Sequence, residues 1–250
     1  MHIVGGILGV TLSCGGMVCS PAAARFVRQT VPVPAPRHGR FPIVLFDLDG
    51  TLVDTIGLIV ASYRHAFLVV LGEQISEDQA RAWIGRPLLP VLLEASPEHG
   101  HELDRVYREW NLGNTARLIK EYPGMADLVA ALTRAGVRCG VVTSKRRDSA
   151  ELALAHAGLV GSIDILAALE DTERHKPDPE PLRHAAALLG ATCGSCVYVG
   201  DATVDMRAAR AAGMATVGVS WGAGQRGDLI AAGADEVVDT VGELAAYLLP

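Results

Sequence analysis

The order of apolar runs predicts an α/β protein: a doubly wound parallel sheet interrupted by one inserted all-helical domain. Three regularities carry that expectation. From Phe41 onward, short apolar runs of strand length alternate with longer stretches of helical spacing. Gly136, Gly158, Gly190 and Gly213 each close such a helical stretch, where a left-handed residue is wanted just past the last turn. One long stretch, 57–122, keeps the helical spacing but offers no convincing strand.

Taken in order, Ile43–Phe46 is a four-residue apolar run that stops at Asp47, as a buried parallel strand does at a functional edge. The strandless stretch follows. Ser76-x-x-Gln79 offers a capping box there, and Val106, Trp110 and Leu118 an apolar stripe. A helical insert after the first strand would lie over that strand's carboxyl end, where ligands bind in open α/β sheets. A helical excursion with no part in catalysis is the alternative. Beyond it, helices are expected over Met125–Ala135, Ser149–Ala157, Pro181–Leu189 and Asp205–Ala212. Strands are expected over Arg138–Val142, Ile163–Leu166, Cys196–Val199, Ala215–Val219 and Glu236–Val238. The chain then divides into an extension (1–40), an α/β core (41–56 and 123–250) and a helical insert (57–122).

Composition narrows the class. Half of the 250 residues are hydrophobic and 20% charged, enough to bury a core. A net charge of −6 argues against a nucleic-acid binder. Lysine is scarce: Lys120, Lys145 and Lys176, against nineteen arginines. Five cysteines make no disulfide framework. Cys193 and Cys196 form a C-x-x-C with no second pair to complete a zinc site, and the odd count favours a reducing, cytoplasmic setting. Residues 1–40 combine an apolar, glycine-rich start with a proline-rich basic linker. A signal peptide cleaved near Pro21–Ala24 is conceivable, but no Lys or Arg precedes the apolar run, and the Gly5–Gly6 and Gly15–Gly16 pairs disfavour a spanning helix. The expectation is a disordered or mis-assigned extension and no membrane attachment.

The chemistry-bearing groups fall at strand ends. Asp47-Leu48-Asp49-Gly50-Thr51 leaves the first strand, and residues two apart on an extended segment share a face. Thr143 and Ser144 close the second strand, Lys176 stands in His-Lys-Pro-Asp-Pro, and Asp201-x-x-x-Asp205 follows the fourth. Each has a plainer alternative: Thr143 as a helix cap, Lys176 as a solvated loop charge, Asp201 and Asp205 as caps. Parallel strands, however, all end on one side, so these groups converge. Four carboxylates in one small volume need a counter-charge, and a hard divalent cation such as Mg²⁺, bound by oxygens, supplies one beside Lys176. That arrangement suits phosphoryl transfer through an aspartyl-phosphate.

These motifs, with Val141-Val142-Thr143-Ser144-Lys145 and the Tyr122-Pro123-Gly124 return, resemble the haloacid dehalogenase superfamily. The likeness is to its phosphoglycolate phosphatase and pyrophosphatase-like branch with a helical cap, from Phe41 to the C-terminus. The resemblance implies a Rossmann-like core and a Mg²⁺-dependent phosphatase of a small phosphorylated metabolite, phosphoglycolate or pyrophosphate first, working as a monomer or homodimer. It implies Asp47 as nucleophile and Asp49 as acid and base. Asp47, Asp49 (through its carbonyl), Asp201 and Asp205 would be the metal ligands, and Thr51, Thr143, Ser144 and Lys176 would hold phosphate. Gly85-Arg86-Pro87-Leu88 looks like the cap loop facing the site, with Arg86 pairing a second anionic group of the substrate or standing as a solvated charge. Glu170-Asp171-Thr172 would support Lys176, and Lys145 and Arg146 would stand at the rim.

Asp49 speaks against a dehalogenase, which has no use for a second carboxylate there. A phosphonate hydrolase would need a cap lysine, and Lys120 lies at the insert's very end. A sugar-phosphate mutase shares every core motif and stays open. A catalytically silent phosphate-binding module is the remaining alternative, although loss of Asp47 or Asp49 would be its expected trace.

Overall fold

In the computed structural model, which describes residues 41–249, the first apolar run is strand β1 (Ile43–Phe46), buried along its whole length. Side chains alternate along a strand. Val44 and Phe46 therefore enter one hydrophobic cluster while Ile43 and Leu45 enter another. A run apolar at every position belongs in the middle of a sheet covered on both faces.

After β1 the chain forms a two-residue strand, β2 (Val53–Asp54), and then four helices: α1 (Ile56–Leu71), α2 (Glu77–Ala82), α3 (Leu88–Ala95) and α4 (Gly100–Leu118). It returns through β3 (Lys120–Glu121), which pairs antiparallel with β2, Val53 opposite Glu121 and Asp54 opposite Lys120. The alternation then resumes with α5 (Met125–Arg134), β4 (Arg138–Val142), α6 (Arg147–His156), β5 (Asp164–Ala167) and α7 (Glu180–Leu188). It ends with β6 (Cys196–Gly200), α8 (Thr203–Ala212), β7 (Ala215–Val219), α9 (Arg226–Ala232), β8 (Glu236–Val238) and α10 (Val241–Leu248).

Six strands make one parallel sheet in the order β5-β4-β1-β6-β7-β8. Helices α5, α6 and α10 cover the Val44 and Phe46 face through Leu128, Leu132, Leu154 and Leu244. Helices α7 and α8 cover the other face through Leu182, Ala185, Ala208 and Ala209. The strand order reverses at β1, so the crevice beyond its carboxyl end is the natural ligand site of this topology.

The four helices between β2 and β3 bury a cluster of their own, including Tyr63, Phe67, Leu92, Leu103 and Tyr107. Aromatic pairs organise it: Tyr63 meets Tyr107 edge-on at 4.8 Å between ring centres, and Phe67 stacks on Trp83 at 5.5 Å.

Local signals are met where they were expected. Ser76 Oγ accepts from the Gln79 amide at 3.1 Å, and Gly136, Gly158, Gly190 and Gly213 all have positive φ. Other details differ. The stretch expected to hold no strand contains β3, which at two residues is too short to show a period. Strand β5 runs one residue later than expected. Of the stripe in α4, Val106 is buried but Trp110 and Leu118 are half-buried; Leu103, Tyr107 and Thr115 complete the inner face. The expectations for residues 1–40 lie outside the described residues. Among the described residues no helix is long and apolar enough to cross a membrane.

Candidate active site

Asp47 is the first residue past β1, and its amide still donates to the Val199 carbonyl at 2.8 Å, so the ladder holds its backbone rigid. Its side chain is buried. The chain then turns at Gly50, whose φ of +79° suits glycine and whose missing Cβ leaves room for the Asp201 carboxylate. That carboxylate follows β6. One oxygen accepts from Thr51 Oγ1 at 3.0 Å and the other from the Ala223 amide at 2.6 Å.

Lys176 fills the space between. Its Nζ donates to Asp47 Oδ1 at 2.8 Å, Asp205 Oδ1 at 2.7 Å and the Tyr198 hydroxyl at 3.1 Å, so all three ammonium protons are committed. Tyr198 in turn donates to the Val142 carbonyl at 2.9 Å, tying the lysine to the end of β4. Asp205 does two things: its second oxygen accepts from the Ala202 amide at 2.9 Å and caps α8.

Carboxylate oxygens of Asp47, Asp201 and Asp205 all lie within 4.8 Å of one another. Burial, partly offset by Lys176 and reinforced by Asp205, pushes Asp47 up to about 7. Burial, then Asp47 and Asp205, pushes Asp201 well above the usual carboxylate range. For Lys176 burial works the other way, but the two carboxylates outweigh it and hold the ammonium charged. With one ammonium among them the three buried carboxyl groups cannot all ionise without a further counter-charge, and an all-oxygen donor set of this spacing fits a hard divalent cation.

On the other side of Asp47 a cavity of about 420 Å³ opens between the helical insert and the sheet. Asp47, Asp49, Thr143, Ser144, Gly85 and Arg86 all line it. The Asp49 carboxylate is gripped by Lys145, whose Nζ reaches Oδ1 at 2.9 Å and Oδ2 at 3.1 Å; both side chains are only 14% exposed. Thr143 Oγ1 accepts from the Lys145 amide at 3.1 Å.

The residues singled out in the sequence thus fall into two groups. Asp47, Lys176, Asp201 and Asp205 form the buried cluster. Asp49, Thr143, Ser144 and Arg86 face the cavity. Several side chains have other partners than expected. The Thr51 hydroxyl is committed to Asp201, and Ser144 Oγ donates to the Gly85 carbonyl at 2.9 Å, joining insert to core. Arg86 pairs with Glu94 at 2.5 Å. Glu170 and Asp171 contact Arg146 and Arg147 at the start of α6. Cys193 and Cys196 are free thiols.

Three features escaped sequence reasoning. Tyr198 reads as an ordinary core residue of a strand. Lys145 reads as a rim charge, whereas it is the direct partner of Asp49. The turn Trp221-Gly222-Ala223-Gly224 after β7 supports Asp201, and a Cβ at Gly222 would overlap its carboxylate while one at Gly224 would overlap its carbonyl. A Gly-x-Gly separated by two residues from a buried strand was the available signal.

Known proteins share this fold. A sequence profile described as haloacid dehalogenase-like hydrolase matches residues 44–219. Pyrophosphatase PpaX of Bacillus velezensis is 36% identical over 182 residues, 73% of this chain and 84% of its own. Pyrophosphatase PpaX of Anoxybacillus flavithermus is 33% identical over 205 residues, 82% and 95% of the two chains. Among solved structures, a hydrolase from Pseudomonas syringae superimposes with a TM-score of 0.74 at 28% identity, covering 82% of this chain and 96% of that one. A Clostridium acetobutylicum protein described as a predicted phosphatase gives 0.74 at 26% identity, covering 82% and 97%. With the profile spanning most of the chain and the buried aspartates standing at its strand ends, the protein belongs to the haloacid dehalogenase-like hydrolases.

Proposed function

We propose that the protein is a Mg²⁺-dependent phosphatase that passes the phosphoryl group of a small phosphorylated metabolite first to Asp47 and then to water. The observation that carries this reading is the Asp47 carboxylate, held 2.8 Å from Lys176 at the floor of the cavity, with Asp201 and Asp205 clustered against it. Such a carboxylate is fixed in direction and faces incoming substrate, which suits in-line attack on phosphorus.

Asp47 forms the new bond to phosphorus as the bond to the leaving oxygen breaks. Asp49, on the cavity side, takes up a proton as it exchanges its Lys145 partner on substrate entry, gives that proton to the leaving oxygen and later takes one from the attacking water. Water then displaces Asp47 from phosphorus, releasing inorganic phosphate. Lys176 and Thr143 offset the charge on the phosphoryl oxygens, and Ser144 joins them by exchanging its Gly85 partner. Thr51 acts one step back, orienting Asp201. Asp47, Asp201, Asp205 and the Asp49 carbonyl would hold Mg²⁺, which when bound offsets the negative charge shared by phosphate and carboxylates. The four-helix insert, taken as a cap over 57–122, closes over this chemistry and keeps bulk water out. A cytoplasmic setting goes with this reading.

The test is release of inorganic phosphate with and without Mg²⁺, comparing the wild type with Asp47→Asn. The variant keeps the shape and loses the nucleophile, so turnover should fall at least on the order of a thousandfold. Substantial activity in a well-folded Asp47→Asn protein would overturn the covalent route.

A further inference from the structure

The cavity beside Asp47 is large for the substrates suggested by the resemblance and the relatives. Its volume is ~420 Å³. Pyrophosphate, two phosphoryl groups sharing an oxygen, would fill only part of it. Cavities in this range usually take organic ligands. Part of the cavity's lining is apolar, a wall contributed by Leu58, Ile59, Trp83, Ile84, Leu88 and Leu112, beside polar groups that include Arg86, Arg108 and Asn111. Leu112 is 66% exposed at this wall, apolar surface that a ligand can cover.

Charge points the same way. Among the described residues four cations line the cavity, and each has a carboxylate partner within the protein. Arg86 is paired with Glu94 at 2.5 Å, Arg108 with Asp104 at 2.7 Å, Lys145 with Asp49 at 2.9 Å, and Arg146 with Glu170 at 3.3 Å. A second phosphate or a carboxylate on the substrate would compete with a carboxylate already in place, most of all at the largely buried Lys145–Asp49 pair. On the phosphatase reading the phosphate to be transferred needs none of them, because the Lys176 ammonium and a cation held by the aspartates would offset its charge from below.

We propose that the leaving group this enzyme accepts is uncharged and mainly apolar, so that the substrate is an alkyl or aryl phosphomonoester in preference to pyrophosphate or a carboxylate-bearing phosphate. This rests on the phosphatase reading above and narrows its substrate class. The apolar wall binds the organic part and positions its ester oxygen beside Asp49.

Steady-state kinetics on a matched series tests it. Ethyl, butyl and hexyl phosphates share one leaving-group acidity and differ in apolar length, while 5-carboxypentyl phosphate matches hexyl phosphate with a terminal carboxylate added. Pyrophosphate and phosphoglycolate complete the set. Each methylene should raise kcat/KM about threefold until the wall is covered. The carboxylate should lower kcat/KM at least tenfold, and the KM of pyrophosphate should exceed that of hexyl phosphate. Leu112→Ser, at an exposed position that the fold tolerates, should flatten the dependence on chain length. A flat alkyl series, an equal or better carboxylate analogue, or a pyrophosphate KM below that of hexyl phosphate would overturn the inference and leave the phosphatase reading standing. No phosphate from any compound would overturn both.

Discussion

Tyr198 shows how much one hydroxyl can organise. It accepts from Lys176 and donates to the Val142 carbonyl, so the lysine's position is referred to the end of β4. Tyr198→Phe leaves that buried carbonyl and one ammonium proton without a partner. A loss of about 2 kcal/mol is expected, or about 4–8 °C in Tm for a chain of this size. Thermal melts of the two proteins decide the matter, and an unchanged Tm would remove the hydroxyl from the structural account. Asp47, Asp49, Asp201, Asp205, Thr143 and Lys176 were legible because each stands within a few residues of the end of an apolar run or beside a proline, and parallel strands end on one side. Tyr198 was not, because an aromatic inside a strand is also what plain packing asks for. Lys145 was misplaced for a different reason: nothing in a linear sequence says that a charge just past β4 bends inward toward Asp49.

Where elements meet, two glycines of similar backbone make a controlled comparison. Gly213 closes α8 at φ +81° with nothing within reach of an added Cβ, while Gly85, at φ +86°, would place one 2.9 Å from Ala202 and Val204 of the core. Gly213→Ala should cost only the left-handed strain, ~1–2 kcal/mol, and leave kcat/KM within about twofold. Gly85→Ala adds a clash that lifts the cap loop, so kcat/KM should fall about tenfold or more; equal kinetics for the two variants would argue against a docked loop. The junction between β5 and α6 is electrostatic instead. Burial alone would raise Asp171, but the Ala168 amide and Arg147 outweigh it and hold its carboxyl below the ordinary 3.8. A carboxyl depressed by folding adds stability that is whole above about pH 4 and disappears as pH falls through its folded value. Asp171→Asn should therefore lower Tm at pH 7 and flatten its decline below pH 4. A Tm difference independent of pH would sink that account. At this scale the long helices and the central strands were readable from period and length. The β2–β3 ribbon was too short to be, and α10 was overlooked although Thr240 Oγ1 accepts from the Glu243 amide at 3.1 Å, a capping pattern visible as Thr-x-x-Glu.

For the whole molecule, the aspartate cluster couples folding to ion binding. Three buried carboxylates with a single ammonium repel one another, so a divalent cation that binds only the folded chain should stabilise it. The expected gain is about 2.7 kcal/mol at a hundredfold excess over its dissociation constant. Differential scanning calorimetry with Mg²⁺ and with a chelator should show a higher Tm with the metal, and Asp201→Asn should remove the difference. An equal shift in that variant would place the ion elsewhere. The ribbon through which the chain enters and leaves the four helices has a wider meaning. Asp54 and Lys120 are paired neighbours, so the sixty-odd residues between them form a closed excursion whose two ends meet. Such an excursion can lengthen, shorten or be exchanged without altering the spacing of β1 and β4. On the proposed reading the aspartates stay with the core while part of the cavity wall travels with the excursion, so a hybrid carrying a relative's residues between those two positions should shift toward that relative's substrate preference while retaining this protein's aspartates.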